Sequence, residues 1–128
     1  MSVVGVGTDI VEVSRIAQMN DAVKQRLAER VLTASELAIY AAHHQPQADS
    51  FLAKRWAAKE AAAKSLGTGI ADGVSFQHFV IENLPSGAPV LTLSDRALAL
   101  ANELGASHWH ISISDEKHYA LAFVVLSS

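Results

Sequence analysis

From Val13 to Val31 the apolar residues Ile16, Met19, Val23, Leu27 and Val31 recur at steps of three and four. That is the period of one helical face, so the segment predicts an amphipathic helix or a pair of helices. A further helix opens at Thr33, where Thr33 and Glu36 form a capping box, Leu32 and Leu37 can staple across it, and the run continues to about Ala42. His43-His44-Gln45-Pro46-Gln47 then breaks the pattern. The strongest helical stretch is Phe51 to Leu66, built from Ala, Leu, Lys, Glu and Arg, with Asp49 or Ser50 able to cap its start and Gly67 able to end it. Ahead of all these, Ser2 to Gly7 is short, β-branched and punctuated by glycine. It predicts a buried strand running into a turn, with Thr8, Asp9 and Ile10 at its end.

After Gly69 the period becomes two. Val74, Phe76, His78 and Val80 share one side of a predicted strand, Pro85-Ser86-Gly87 is a turn, and Pro89 to Leu93 is the returning strand. Ser94 caps a helix whose Leu98, Ala101 and Leu104 face the core and which Gly105 ends. His108 to Leu126 predicts a hairpin connected by Asp115 to His118, with His110, Ser112 and Ser114 on one face of its first strand. Its second strand, from Tyr119, is apolar on both sides, so both need cover, and one cover can be another subunit. The expectation is an α+β fold in which an antiparallel sheet of about four or five strands packs against a long central helix and two or three others.

Composition narrows the class. The chain has 128 residues, enough for one domain spanning 1–128. Its formal net charge of -3 argues against general nucleic-acid binding. No run approaches the ~20 apolar residues of a membrane span, and no basic segment precedes the patch Val3 to Val6, so neither a membrane anchor nor a secretory signal is expected. With no cysteine there is no thiolate chemistry, which fits a reducing cytoplasm. Arg15, Lys24, Arg26 and Arg30 outnumber Asp21 and Glu29 between Val13 and Val31, making a local basic surface on an acidic chain.

Candidate chemistry gathers in the long helix. Leu52, Trp56, Lys59, Ala63 and Leu66 fall along one side, with Glu60 and Lys64 one turn apart beside it. Two readings stand. One is an ordinary surface pair worth ~0.3 kcal/mol. The other is a carboxylate for a hard cation, flanked by lysines for phosphate, with the Gly67-Thr68-Gly69 loop letting backbone amides approach a ligand. Asp9 reads as a turn residue or cap on local grounds. Gly5 to Ile10 is not a dinucleotide fingerprint, because Ile10 stands where the third glycine belongs. The pairs His43/His44 and His108/His110 lack a third ligand at a recognisable spacing.

Taken together, GVGTDIVEVSRI (Gly5 to Ile16) and FLAKRWAAKEAAAKSLGTGI (Phe51 to Ile70) resemble the two signature blocks of the holo-[acyl-carrier-protein] synthases, the small 4'-phosphopantetheinyl transferases. Order, separation and length match over nearly the whole chain. The resemblance implies a 4'-phosphopantetheinyl transferase-like fold and transfer of the 4'-phosphopantetheine arm from coenzyme A to a serine of apo-acyl carrier protein, in support of fatty acid biosynthesis. It implies Mg²⁺ held by Asp9 and Glu60, catalysis by Glu60, Asp9 and Lys64, and coenzyme A contacts from Lys59, Lys64, Gly67, Gly69 and His110. Deprotonation of the acceptor serine falls to Glu60 or to a water on the metal. The basic segment becomes the carrier-protein dock, through Arg15, Met19, Lys24 and Arg26. The resemblance also implies a homotrimer. A non-catalytic carrier-binding module would need only the basic helix, and another Mg²⁺-dependent nucleotide transferase only the carboxylates.

Overall fold

In the computed structural model, which describes residues Met1 to Ser128, strand β1 (Val3–Glu12) pairs along its length with the last strand, β5 (Tyr119–Ser127), in antiparallel register from Val3↔Ser127 to Glu12↔Tyr119. Thr8 and Asp9 therefore lie inside a strand, not at the turn their sequence suggests. Gly5 and Gly7 serve close packing here, not chain reversal. A Cβ on Gly5 would stand 2.2 Å from the Ser65 carbonyl oxygen, and one on Gly7 would stand 1.9 Å from that of Ala61. Only a residue without a side chain allows the strand to lie directly on the helix that carries those carbonyls.

The long amphipathic run resolves into two helices, α1 (Val13–Ala17) and α2 (Asp21–Val31). The break comes where the Asn20 side chain accepts the Val23 N–H at 2.9 Å and starts α2 afresh. Helix α3 (Ala34–Ala42) carries the predicted box, with the Glu36 carboxylate accepting the Thr33 N–H at 2.9 Å. Helix α4 (Gln47–Ser65) begins four residues before the predicted start. Asp49 and Ser50 lie within it, and Asp49 accepts from Lys24 and Gln45 instead of capping.

Residues Phe76–His78 form a 3-10 turn, not the first half of a strand. Ser75 Oγ accepts the Gln77 N–H and the His78 ring accepts the Ser75 N–H, which winds this segment and leaves five residues for β2 (Phe79–Asn83). Strand β3 (Pro89–Leu93) returns beside it, then come α5 (Asp95–Glu103) and β4 (His108–Asp115). The predicted single sheet is thus divided into a three-stranded antiparallel sheet of order β1-β5-β4 and the two-stranded pair β2-β3.

Helix α4 lies across the inner face of the three-stranded sheet, where Ala57, Ala58, Ala61 and Ala62 meet Ala120, Ala122 and Val124, all buried. Small side chains on both surfaces bring helix and sheet close, with contact area between backbones replacing bulky side-chain packing. The outer face is different: Val6, Ile10, Tyr119, Leu121 and Phe123 are each between 42% and 58% exposed. No helix is long and apolar enough to cross a membrane.

Candidate active site

Because β1 rests on α4 through Gly5 and Gly7, the next inward residue of the strand, Asp9, arrives at the C-terminal turns of the helix. Lys64 Nζ donates to Asp9 Oδ1 at 2.8 Å and to the Thr8 carbonyl oxygen at 3.1 Å. Glu60, one turn before Lys64, is half-buried. Burial, and after it the like charge of Asp9, push the Glu60 carboxyl above its ordinary value, while Lys64 pulls it back. The indole N–H of Trp56, one turn earlier, also favours the ionised form without meeting the geometry of a full hydrogen bond. Two carboxylates, with a single ammonium beside them, form a hard-oxygen donor set suited to a divalent cation. Two ligands do not enclose an ion. Waters and substrate oxygens would complete the shell, as is usual for Mg²⁺.

Lys59 is not part of this constellation. It is fully buried, and its ammonium donates to Glu36 Oε1 at 2.5 Å, to the Val31 carbonyl oxygen at 2.7 Å and to that of Phe76 at 3.2 Å. An ammonium has three donors, and all three are taken. The expected contact with phosphate is therefore corrected: Lys59 pairs with Glu36 to tie α3, the end of α2 and the 3-10 turn to α4. Burial lowers its pKa and Glu36 opposes that shift.

Gly67 ends α4 as its sequence predicts, but neither it nor Gly69 offers an amide to a ligand. Both occupy the left-handed region, with φ of 84° and 66°. Their amides are spent on the end of α4, Gly67 N–H on the Lys64 carbonyl oxygen at 2.9 Å and Gly69 N–H on that of Ala63 at 3.1 Å. This C-terminal cap leaves neither amide free for a phosphate. His110 is on the exposed face of β4, 3.3 Å from Ser127 Oγ through Nε2 and stacked on His108 at 6.4 Å. Asp9 faces the helix from the opposite side of the sheet, so one chain does not bring His110 to the carboxylates.

Among the residues expected to dock a partner, Arg15 and Arg26 are exposed and take part in no ion pair. Met19 is half-buried between α1 and α2. Lys24 departs from expectation. Its ammonium is 3.0 Å from Asp49 Oδ1 and 3.2 Å from Oδ2, with 13% of its side chain exposed. It fastens α2 to the first turn of α4, which leaves Arg15 and Arg26 as the available cations.

A residue the sequence did not single out is Arg55. It is 4% exposed, its Nε is buried without a hydrogen-bond partner, and its Nη2 donates to Asn83 Oδ1 at 2.9 Å. Phe51 supports the guanidinium from 4.6 Å, and burial lowers its pKa against the pull of Glu36. Arg55 lines a cavity of about 380 Å³ together with Lys54, His43 and Asn83. The Arg55 Nε stands 3.8 Å from Glu36 Oε2, so the charge is partly met on that side, while the cationic lining shared with Lys54 suits an anion in the cavity. Five residues separate Arg55 from Glu60, about 140° around a helix, so the cavity and the carboxylates open on different sides of α4.

Residues 5–124 match the family model described as the 4'-phosphopantetheinyl transferase superfamily. Over 128 residues the chain is 56% identical to a holo-[acyl-carrier-protein] synthase of Shewanella denitrificans, with 100% of both covered. It superposes on the crystal structure of the Neisseria meningitidis holo-[acyl-carrier-protein] synthase with a TM-score of 0.86 and 41% identity, over 99% of this chain and 100% of that one. The Helicobacter pylori holo-[acyl-carrier-protein] synthase, solved in complex with coenzyme A, matches with a TM-score of 0.79 and 32% identity over 95% and 99%.

Proposed function

The chain belongs to the holo-[acyl-carrier-protein] synthases of the 4'-phosphopantetheinyl transferase superfamily, and on that premise we propose that Asp9, Glu60 and Lys64 form its catalytic centre. The enzyme transfers the 4'-phosphopantetheine group from coenzyme A to a serine of apo-acyl carrier protein, for fatty acid synthesis. The serine oxygen forms a bond to the β-phosphorus of the pyrophosphate, the bond from that phosphorus to the bridging oxygen breaks, and adenosine 3',5'-bisphosphate leaves. The nucleophile belongs to the substrate, so the enzyme's own task is positioning and charge neutralisation. The observation that carries the assignment is the meeting of Asp9 with Lys64 at 2.8 Å beside Glu60.

The family is metal-dependent, and the metal we assign is Mg²⁺, held by Asp9 and Glu60. When bound, it supplies a Lewis acid for the pyrophosphate oxygens. Lys64, half-exposed at the same place, meets phosphate charge directly. Glu60 is the chain's own candidate for taking the serine proton. The cavity under Arg55, with Lys54 and His43, receives anionic groups at the nucleotide end of coenzyme A. Arg15 and Arg26, with Met19 beside them, meet the acidic surface of the carrier protein.

The active unit is a homotrimer of one-domain chains, each spanning residues 1–128, in the cytoplasm. Covering Val6, Ile10, Tyr119, Leu121 and Phe123 with a second copy removes an exposed apolar face. A neighbouring subunit can also set its Arg55 cavity beside the carboxylates of this chain. The number three rests on family resemblance.

The deciding experiment is mass spectrometry of an apo-acyl carrier protein incubated with the enzyme, coenzyme A and Mg²⁺ or EDTA. The reading expects a gain of one phosphopantetheine mass with Mg²⁺, lost with EDTA and reduced about a hundredfold or more in rate by Asp9→Asn. Undiminished transfer by Asp9→Asn would remove Asp9 from the centre. A carrier that binds without gaining mass would support a binding module instead.

A further inference from the structure

Arg15 and Trp56 lie 41 positions apart in sequence, yet the guanidinium carbon of Arg15 stands 5.0 Å from the centroid of the Trp56 ring. The contact joins α1 to α4 at a point one helical turn before Glu60. Arg15 is exposed and has no carboxylate partner. Its charge is met within the chain by the face of a half-buried indole, with the outer edge of the guanidinium still open. Planar Arg can stack on a ring and donate from its edge at the same time, which Lys cannot do. The residue assigned above to the carrier protein is thus the residue that rests on the ring one helical turn before Glu60.

We infer that Trp56 is a positioning residue that couples carrier docking to the catalytic carboxylate: an acidic group engaging the edge of Arg15 presses the guanidinium onto the indole, and the indole holds Glu60 in its working orientation. The ring is well placed for this, because residues at i and i+4 face each other on a helix. Attack geometry is sensitive at the ångström scale, so a carboxylate held by a clamped ring turns over faster than one free to rotate. The inference rests on the proposed docking role of Arg15 and deepens it, since it makes docking a condition of efficient catalysis and not of affinity alone.

The test uses the fact that the chain has two tryptophans. In a Trp109→Phe background Trp56 is the sole emitter, and an apo-acyl carrier protein lacking tryptophan is titrated in without metal or coenzyme A. The expected result is a saturable change in Trp56 emission, absent in Arg15→Ala. Calorimetry on the same samples reports carrier binding independently, and Mn²⁺ alone is titrated as a probe of the carboxylates. Trp56→Phe keeps the ring and removes the N–H. Its KM for the carrier should stay within about twofold of the parent while kcat and Mn²⁺ affinity fall, kcat by roughly tenfold. Trp56→Leu should lose both, and the Phe variant should recover the carrier KM relative to Leu.

Carrier binding with unchanged Trp56 emission would overturn the coupling, as would a Trp56→Phe enzyme with parental kcat and Mn²⁺ affinity. Absence of carrier binding to the parent would overturn the docking assignment itself, and the coupling with it.

Discussion

Lys64 Nζ lies 2.8 Å from Asp9 Oδ1, an ion pair that spans 55 positions of sequence and joins the middle of β1 to the last turn of α4. Half of the Lys64 side chain is exposed against 18% of Asp9. The pair is thus largely open to water on the lysine side, and its worth to stability is small. Under the proposed role, the lysine's worth to catalysis is in the charge it brings beside Glu60. Lys64→Ala should lower kcat by about a hundredfold with little change in Tm. It should also move the acid limb of the pH–rate profile upward, because Lys64 favours ionised Glu60 and its removal leaves more of the carboxyl protonated at a given pH. Rate against pH for parent and variant checks this, and coincident acid limbs would contradict it.

Glu60 carries a cost to the fold. Its folded pKa lies above the ordinary glutamate value, so the folded chain holds the proton more tightly than the unfolded one. Stability is then lost as pH rises from the unfolded pKa through the folded one. Glu60→Gln, which the proposed role makes inactive, should melt slightly higher than the parent at pH 7 in EDTA. The difference should vanish below the ordinary glutamate pKa, where both side chains are neutral. Scanning calorimetry at the two pH values is the measurement, and a lower Tm for the variant at pH 7 would reverse the sign.

Lys59 and Glu36 make the opposite case, a pair needed for the fold and remote from the chemistry. Glu36 Oε2 also accepts the Ile81 N–H at 3.0 Å, so this buried carboxylate anchors β2 as well as α3. Lys59→Met leaves the buried Glu36 with only the more distant Arg55, 3.8 Å away, as counter-charge, and should cost about 3 kcal/mol in urea unfolding. The KM for coenzyme A should stay unchanged in the fraction that folds. A stable variant with a raised KM would return Lys59 to the phosphate role.

Gly7 sets the distance between β1 and α4. A methyl group there meets the Ala61 carbonyl oxygen, a backbone atom that cannot rotate away. Gly7→Ala should destabilise the chain by roughly 3 kcal/mol through overpacking. It should also reduce kcat in the surviving native protein, because Asp9 moves with the strand. Denaturation curves and rates extrapolated to the folded fraction separate the two effects. Parental stability would mean that the strand can shift without loss.

The basic surface divides by partner. Arg26→Glu should raise the KM for the carrier protein and leave that for coenzyme A unchanged, and added salt should imitate it, since exposed charges are screened beyond ~8 Å at physiological ionic strength. Lys24→Ala should lower Tm with a smaller effect on the carrier KM, because it releases Asp49 at the start of α4. Steady-state kinetics at two ionic strengths, beside a thermal melt, distinguishes them. A Lys24→Ala enzyme with an unchanged Tm and a carrier KM raised as far as in Arg26→Glu would restore Lys24 to the dock.

Much of this molecule was legible in one dimension, because helix period, capping residues and strand alternation are local. The run of apolar steps from Ile16 to Val31, the box of Thr33 and Glu36, the return strand Pro89 to Leu93 and the alternation of β4 all depend on neighbours within a few residues. So did the family, through two blocks whose order and spacing survive as text. The misplaced charges have the opposite cause. Lys59 and Lys64 have the same chemistry and lie on one helix, but five residues turn a helix by about 140°. One points into the space closed by α3 and the 3-10 turn, the other toward Asp9. Lys24 lost its dock to Asp49, and Gly67 and Gly69 lost their free amides to the end of α4. Arg55 went unnoticed because, although Phe51 lies one turn before it, nothing nearby announces that Asn83 will meet it from β2. The local sequence determined most helix and strand segments, though not the 3-10 turn at Phe76–His78 or the run of β1 through Asp9 to Glu12. Only tertiary packing decided which charges meet water, because burial and pairing are set by chain segments that sequence separation hides.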